Sequence, residues 1–174
     1  MAQDIPVVSI VGRKGCGKTT VLEGLVRELV GRGYRVATAR HHAHDTTLDT
    51  PGKDTWRHAQ AGAWLTMVSS PIELVTFERV DRERTLDELA REAEGADILL
   101  TEGFGDVARV RIEASLGGCA QGPRFETDEL FAFVTDEGAV PSGVAVFGSD
   151  QAPALADLVE DAFLSAREGE GRAD

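Results

Sequence analysis

This chain has little lysine, two cysteines, one tyrosine and no long apolar run. Its only lysines are Lys14, Lys18 and Lys53, so every other fixed positive side chain is arginine. With 18 basic against 30 acidic residues the formal net charge is −12, and no cluster of Lys and Arg offsets it. Such a balance argues against a general nucleic-acid or anionic-membrane surface, so any anionic ligand must be bound locally. No stretch reaches the roughly 18 apolar residues of a membrane span, and no basic-then-apolar leader opens the sequence, which leads to an expected cytoplasmic location. The 174 residues with 42% hydrophobic content suffice for one core. A single domain over 1–166 is expected, with a frayed tail from Arg167.

What is present centres on Gly12-Arg13-Lys14-Gly15-Cys16-Gly17-Lys18-Thr19, which matches G-x-x-x-x-G-K-[ST], the phosphate-cradling P-loop. Glycines let backbone N–H groups turn toward phosphate oxygens, a lysine reaches the outer phosphates, and a hydroxyl suits Mg²⁺ at the positive end of the following helix. Residues 6–11 read as a buried strand before it. Residues 20–30 read as a helix after it, with Val21, Leu22, Leu25, Val26 and Leu29 on one face. Gly12 through Thr20 are therefore the candidate phosphate-binding residues. Because Cys16 lies inside this loop, a bridge to Cys119 is expected to obstruct the phosphates, and both cysteines are expected to be free thiols.

Further strands are expected at 34–39, 64–69, 72–79, 97–101, 107–114, 130–134 and 144–147, the second and third of these as an antiparallel pair. Short helices are expected over 56–62, capped by Asp54, and from the capping box Thr85-Leu86-Asp87-Glu88 to about Glu94. Asp150 is expected to cap a last helix over 152–164. Strands alternating with helices imply an α/β fold with a mainly parallel twisted sheet and some antiparallel additions.

In such a sheet ligands bind beyond the carboxyl ends of the strands. The P-loop, the aperiodic segment 40–55, Glu102, Thr135-Asp136 and 148–150 all follow strand ends. Asp97 begins its strand, about 16 Å back along it, so Glu102 is the expected acidic partner of Mg²⁺ beside Thr19. Guanine presents N1–H and N2–H₂ as adjacent donors that one carboxylate can accept, which makes Asp136, with Ser149 and Asp150 nearby, a guanine-reading candidate. His41, with His42 and His44, can donate to phosphate oxygens, and Lys53 can add charge there. A zinc set of His41, His42, His44 and Asp45 completed by Cys119 or His58 lacks paired cysteines and regular ligand spacing. Asp45 and Asp49 are both candidates for holding metal-bound or attacking water.

Taken together, Gly12 to Thr20, His41-x-x-His44-Asp45, Asp49-x-Pro51-Gly52-Lys53-Asp54, Ala61-Gly62-Ala63, Glu102-Gly103-Phe104, Ile112-Glu113 and Val134-Thr135-Asp136 resemble the molybdopterin-guanine dinucleotide biosynthesis adaptor protein B family. The resemblance implies a homodimeric GTP- and Mg²⁺-binding adaptor with at most slow GTPase activity. It also implies work beside the molybdenum cofactor guanylyltransferase, with molybdopterin as a further ligand. Arg40 and Cys16 stand where the family has lysine and serine, and Gly105 where it often has lysine, so Arg109 or Arg111 would have to supply that charge. Other readings of the same cleft are a small-molecule kinase using Asp45 or Asp49 as base, though no Arg-rich helical insertion follows Glu102, and a nucleotide-gated partner-binding module.

Overall fold

The computed structural model describes residues 5–42, 47–117, 119, 122–138 and 140–165. Two compact units contain them, one from the chain up to His41 together with Thr85 onward, the other over His42–Arg84.

In the larger unit, β1 (Val7–Val11), β2 (Val36–Arg40), β5 (Ile98–Glu102), β6 (Arg111–Ala114), β7 (Ala132–Val134) and β8 (Ala145–Phe147) form a six-stranded sheet in the order β2-β5-β1-β6-β7-β8. Every neighbouring pair is parallel. Side chains alternate across a strand, so Val8 and Ile10, Ile98 and Leu100, Ile112 and Ala114, and Ala132 and Val134 share one face. On that face they join Val21, Leu25 and Leu29 of α1 (Lys18–Gly31) and Leu155, Ala156 and Val159 of α4 (Ala152–Phe163) in one core. The other face is buried as well: Leu99 and Phe133 are 2% and 1% exposed, and Thr101 Oγ donates to Ser9 Oγ at 2.8 Å. Continuous burial on both faces explains why β1 and β5 read as unbroken apolar runs rather than alternating ones.

α3 (Leu86–Glu92) starts with the expected capping box, Thr85 accepting from Glu88 N–H and Glu88 from Thr85 N–H. Two other caps differ. Lys53, not Asp54, is the N-cap of α2 (Asp54–Gln60), which moves Asp54 into the first turn. Gln151, not Asp150, precedes α4, and its side-chain oxygen accepts from Gly148 N–H at 2.7 Å. The strand expected over 107–114 shortens to Arg111–Ala114, because Val107 and Ala108 N–H donate to Phe104 O in a turn.

The smaller unit consists of α2, β3 (Leu65–Ser69) and β4 (Leu74–Glu78), the two strands pairing antiparallel with Val68 opposite Val75 and Met67 opposite Thr76. Ser70 forms the turn, its hydroxyl accepting from Glu73 N–H and its own N–H donating to Glu73 O.

Candidate functional site: a phosphate-binding loop at the carboxyl edge of the parallel sheet

Because the six strands are parallel, all their carboxyl ends lie along one edge. That edge carries the P-loop after β1, His41 after β2, Glu102 at the end of β5, Ser115 and Leu116 after β6, Thr135 and Asp136 after β7, and Gly148 and Ser149 after β8. The alternation of strands with helices foretold this gathering.

The P-loop folds as its glycines require. Gly12 has φ 135°, and a Cβ there would stand 2.4 Å from Ala114 O, a clash with backbone that no rotamer relieves. Gly17, at φ 77°, is the N-cap of α1, and a side chain there would meet Leu116 at 2.8 Å. These two positions press the loop against the end of β6, so the first helical residues are Lys18, Thr19 and Thr20. Lys18 Nζ donates to Arg13 O at 2.7 Å and Gly12 O at 3.2 Å, curling the lysine back over the loop. Lys14 and Gly15 are exposed, while Arg13 reaches sideways to donate to Gly122 O at 2.8 Å.

The expectation of free thiols is overturned: Cys16 and Cys119 are joined by a disulfide with Cα atoms 5.7 Å apart. Cys16 is only 2% exposed, and its carbonyl accepts from Leu116 N–H at 3.1 Å. Its sulfur is turned into the protein, toward Cys119 in the segment after β6. Engagement in the bridge also takes Cys119 out of any metal-ligand set.

Thr19 and Glu102, expected to share Mg²⁺, come together directly: Thr19 Oγ donates to Glu102 Oε2 at 2.8 Å. Glu102 is 8% exposed at the end of β5, and the exposed Arg40 guanidinium approaches its other oxygen at 3.9 Å. A buried carboxylate next to a threonine hydroxyl at a helix N-terminus is an oxygen donor set of the hardness Mg²⁺ prefers. The residues present therefore fit that ion. Asp97 lies at the far end of the same strand, where its carboxylate accepts from Arg35 N–H at 2.7 Å.

After Glu102 the backbone takes two left-handed residues in succession, Gly103 at φ 97° and the non-glycine Phe104 at φ 56°. Phe104 is 9% exposed and its ring lies 5.0 Å from that of His41, whose N–H donates to Glu102 O at 2.9 Å. This strained turn holds His41 and Glu102 side by side, a role the sequence reading did not assign to Phe104.

At the other end of the edge, Asp136 Oδ1 accepts from Ser149 N–H at 2.7 Å, which unites the two guanine-reading candidates. Beneath them Thr135 is buried, with its hydroxyl 3.0 Å from Ser115 O and 2.6 Å from Glu137 O. Glu113, 1% exposed, accepts from Arg124 N–H and Phe125 N–H at 2.6 and 3.2 Å and pins the returning loop. Arg111 is the arginine that reaches position 105, its Nε donating to Gly105 O at 2.9 Å, whereas Arg109 pairs with Asp87. A Cβ at Gly105 would stand 2.9 Å from the tip of the Phe125 ring, so a side chain there requires that ring to shift.

Asp49 and Lys53 belong to the smaller unit, where Asp49 Oδ1 accepts from Thr50 N–H at 2.7 Å and the Oδ2 of its half-buried side chain has no hydrogen-bond partner among the described residues. His44, Asp45 and the tail from Arg167 lie outside the described residues.

A family model described as molybdopterin guanine dinucleotide synthesis protein B matches residues 7–136. The molybdopterin-guanine dinucleotide biosynthesis adapter protein of Haemophilus influenzae is 29% identical over 163 residues, covering 92% of this chain and 91% of that protein. Its Escherichia coli counterpart is 31% identical over 160 residues, covering 89% and 91%. Among solved structures, a molybdopterin-guanine biosynthesis protein B superposes with TM-score 0.69 at 27% identity, covering 90% of this chain and 99% of that one. Bacillus subtilis MobB does so with TM-score 0.70 at 25% identity, covering 91% and 98%. A P-loop set on the carboxyl edge of a parallel sheet, with a family match running from β1 to Asp136, places this chain in the molybdopterin guanine dinucleotide synthesis protein B family.

Proposed function

We propose that this protein is a GTP-binding adaptor of molybdopterin-guanine dinucleotide biosynthesis, acting in the cytoplasm as a homodimer beside the molybdenum cofactor guanylyltransferase. The observation that carries the nucleotide part is the Thr19–Glu102 contact of 2.8 Å at the mouth of the P-loop. It supports a ready-made Mg²⁺ position next to a phosphate cradle.

In this reading the backbone N–H groups of residues 13–19 bind the phosphates, Lys18 swings from the Gly12 and Arg13 carbonyls to the outer phosphate, and His41 adds a donor. Thr19 and Glu102 hold Mg²⁺, which when bound would neutralise phosphate charge. Asp136, oriented by Ser149 N–H, accepts from the guanine edge. Lys53 contributes charge, and Asp45 and Asp49 are the candidates for ordering water in a slow GTPase reaction. The adaptor role follows from the two adapter relatives, whose lengths this chain covers almost fully. Molybdopterin is the proposed further ligand.

Calorimetric titration with GTP and with ATP in Mg²⁺ tests the nucleotide reading. GTP binds more tightly, and Lys18→Ala weakens it by about tenfold or more, the loss of one charge-assisted contact to phosphate. Tighter ATP binding overturns the guanine assignment, and an unchanged affinity in Lys18→Ala overturns the phosphate site.

A further inference from the structure

The Cys16–Cys119 bridge lies where nothing in a phosphate-binding role calls for one. We infer that this pair is a thiol–disulfide exchange site whose redox state sets how firmly the P-loop is held for nucleotide phosphates, with a dithiol as the exchanging co-substrate. The inference rests on the nucleotide-binding reading above.

Three attachments tie the loop to the segment after β6. Cys16 is bonded to Cys119, Cys16 O accepts from Leu116 N–H at 3.1 Å, and Arg13 Nη1 donates to Gly122 O at 2.8 Å. The far anchor is itself fixed, since Ser115 Oγ donates to Cys119 O at 3.0 Å. All three attachments fall on Arg13–Cys16, within the stretch proposed above to bind the phosphates. Without the covalent link, two hydrogen bonds remain, each of modest net strength. A loop held in its binding shape loses less freedom when its ligand arrives, so the oxidised form is the tighter binder.

The chemistry of exchange follows from exposure. Cys16 is 2% exposed and Cys119 is half-buried, so an incoming thiolate attacks Cys119 Sγ. The S–S bond breaks with its electron pair going to Cys16 Sγ, next to the N-terminus of α1, where the helix dipole favours an anion. The reagent's second thiolate then attacks its own sulfur in the mixed disulfide, expelling Cys119 as thiolate. In total the dithiol becomes a cyclic disulfide, two electrons pass to the pair, and two protons end on Cys16 and Cys119. The reverse step uses a disulfide of the same class. In a reducing compartment such a bridge is exchanged rather than permanent.

The test compares the oxidised full-length protein, the same protein reduced with dithiothreitol, and Cys119→Ser, each titrated with GTP and Mg²⁺ after alkylation mass analysis counts its free thiols. Expected are no free thiols before reduction, two after it, and a GTP dissociation constant roughly three- to tenfold larger in both the reduced protein and Cys119→Ser, as expected for freeing one or two loop residues. Equal affinity in all three forms overturns the inference and leaves the nucleotide reading intact. Two alkylated cysteines without reduction also overturn it. Absence of GTP binding in all three forms overturns both.

Discussion

At the scale of single residues the decisive pair is Thr19 and Glu102. A carboxylate 8% exposed is costly to bury unless it has partners, and here it has a hydroxyl at 2.8 Å and a guanidinium at 3.9 Å. Glu102→Gln keeps the shape of the Thr19 contact but removes the charge a divalent cation needs. GTP affinity in Mg²⁺ should fall about tenfold, one charge-assisted interaction, while affinity in excess EDTA stays the same. A calorimetric pair with and without Mg²⁺ reads this directly, and an equal loss in both conditions would mean that Glu102 supports the fold rather than the metal. The turn after β1 was legible in the sequence because it depends on local backbone geometry: Gly12 and Gly17 sit at positive φ against Ala114 and Leu116. The bridge was not legible. Its two cysteines are 103 residues apart, and only the pairing of β6 with β1, Val11 opposite Glu113, brings them together.

At the scale of elements, α4 is fastened to the turn after α1 by a charge network that the helical pattern alone does not show. Arg32, just past α1, pairs with Glu160 of α4 and with Asp157 Oδ1 at 2.7 Å, and Tyr34 Oη donates to Glu160 Oε1 at 2.7 Å. The Tyr34 hydroxyl, and after it the Arg32 guanidinium, hold the Glu160 carboxyl below the ordinary glutamate value. Arg32 is raised in turn, chiefly by its hydrogen bond to Glu160, and stays charged throughout. A carboxyl with a depressed folded-state pKa contributes stability that is present above its unfolded value and is lost as pH falls through the folded one. The melting temperature of the wild type should therefore exceed that of Glu160→Gln at pH 7, with the gap closing below about pH 4.3. A gap that is constant from pH 7 to pH 3 would show that the carboxylate's charge is immaterial. Helix and strand existence was readable from periodicity, as the face Val21, Leu25 and Leu29 shows. Caps were readable only where two side chains answer each other, as Thr85 and Glu88 do. Asp54 and Asp150 had no such partner signal, and neither became a cap.

At the scale of the whole molecule, the smaller unit raises the question of what covers it. Two isolated strands are marginal in water, and this ribbon exposes apolar side chains on both faces. Leu74 at 64% and Met67 at 61% share one face, while Val68 at 49% and Val75 at 40% stand opposite each other on the other. Ile72 beside the turn is 92% exposed. Among the described residues each strand also has one edge without a neighbouring strand, the kind of edge that recruits another chain unless it is blunted by charge or proline. A second copy of the ribbon stacked face to face would bury the valine face, and this is the surface on which the proposed homodimer should close. A stable dimer needs about 800 Å² from each subunit, so a ribbon of this size would need support from residues next to it. Sedimentation velocity should give a dimer for the wild type and a monomer for Val68→Glu combined with Val75→Glu, since two opposed carboxylates on each copy would face two more across the interface. Both positions are solvent-exposed within a single chain, so the melting temperature of the larger unit should hold, and GTP titration of the variant would separate loss of assembly from loss of the nucleotide site. A wild-type monomer at tens of micromolar, or a variant that still sediments as a dimer, would exclude the ribbon as the interface.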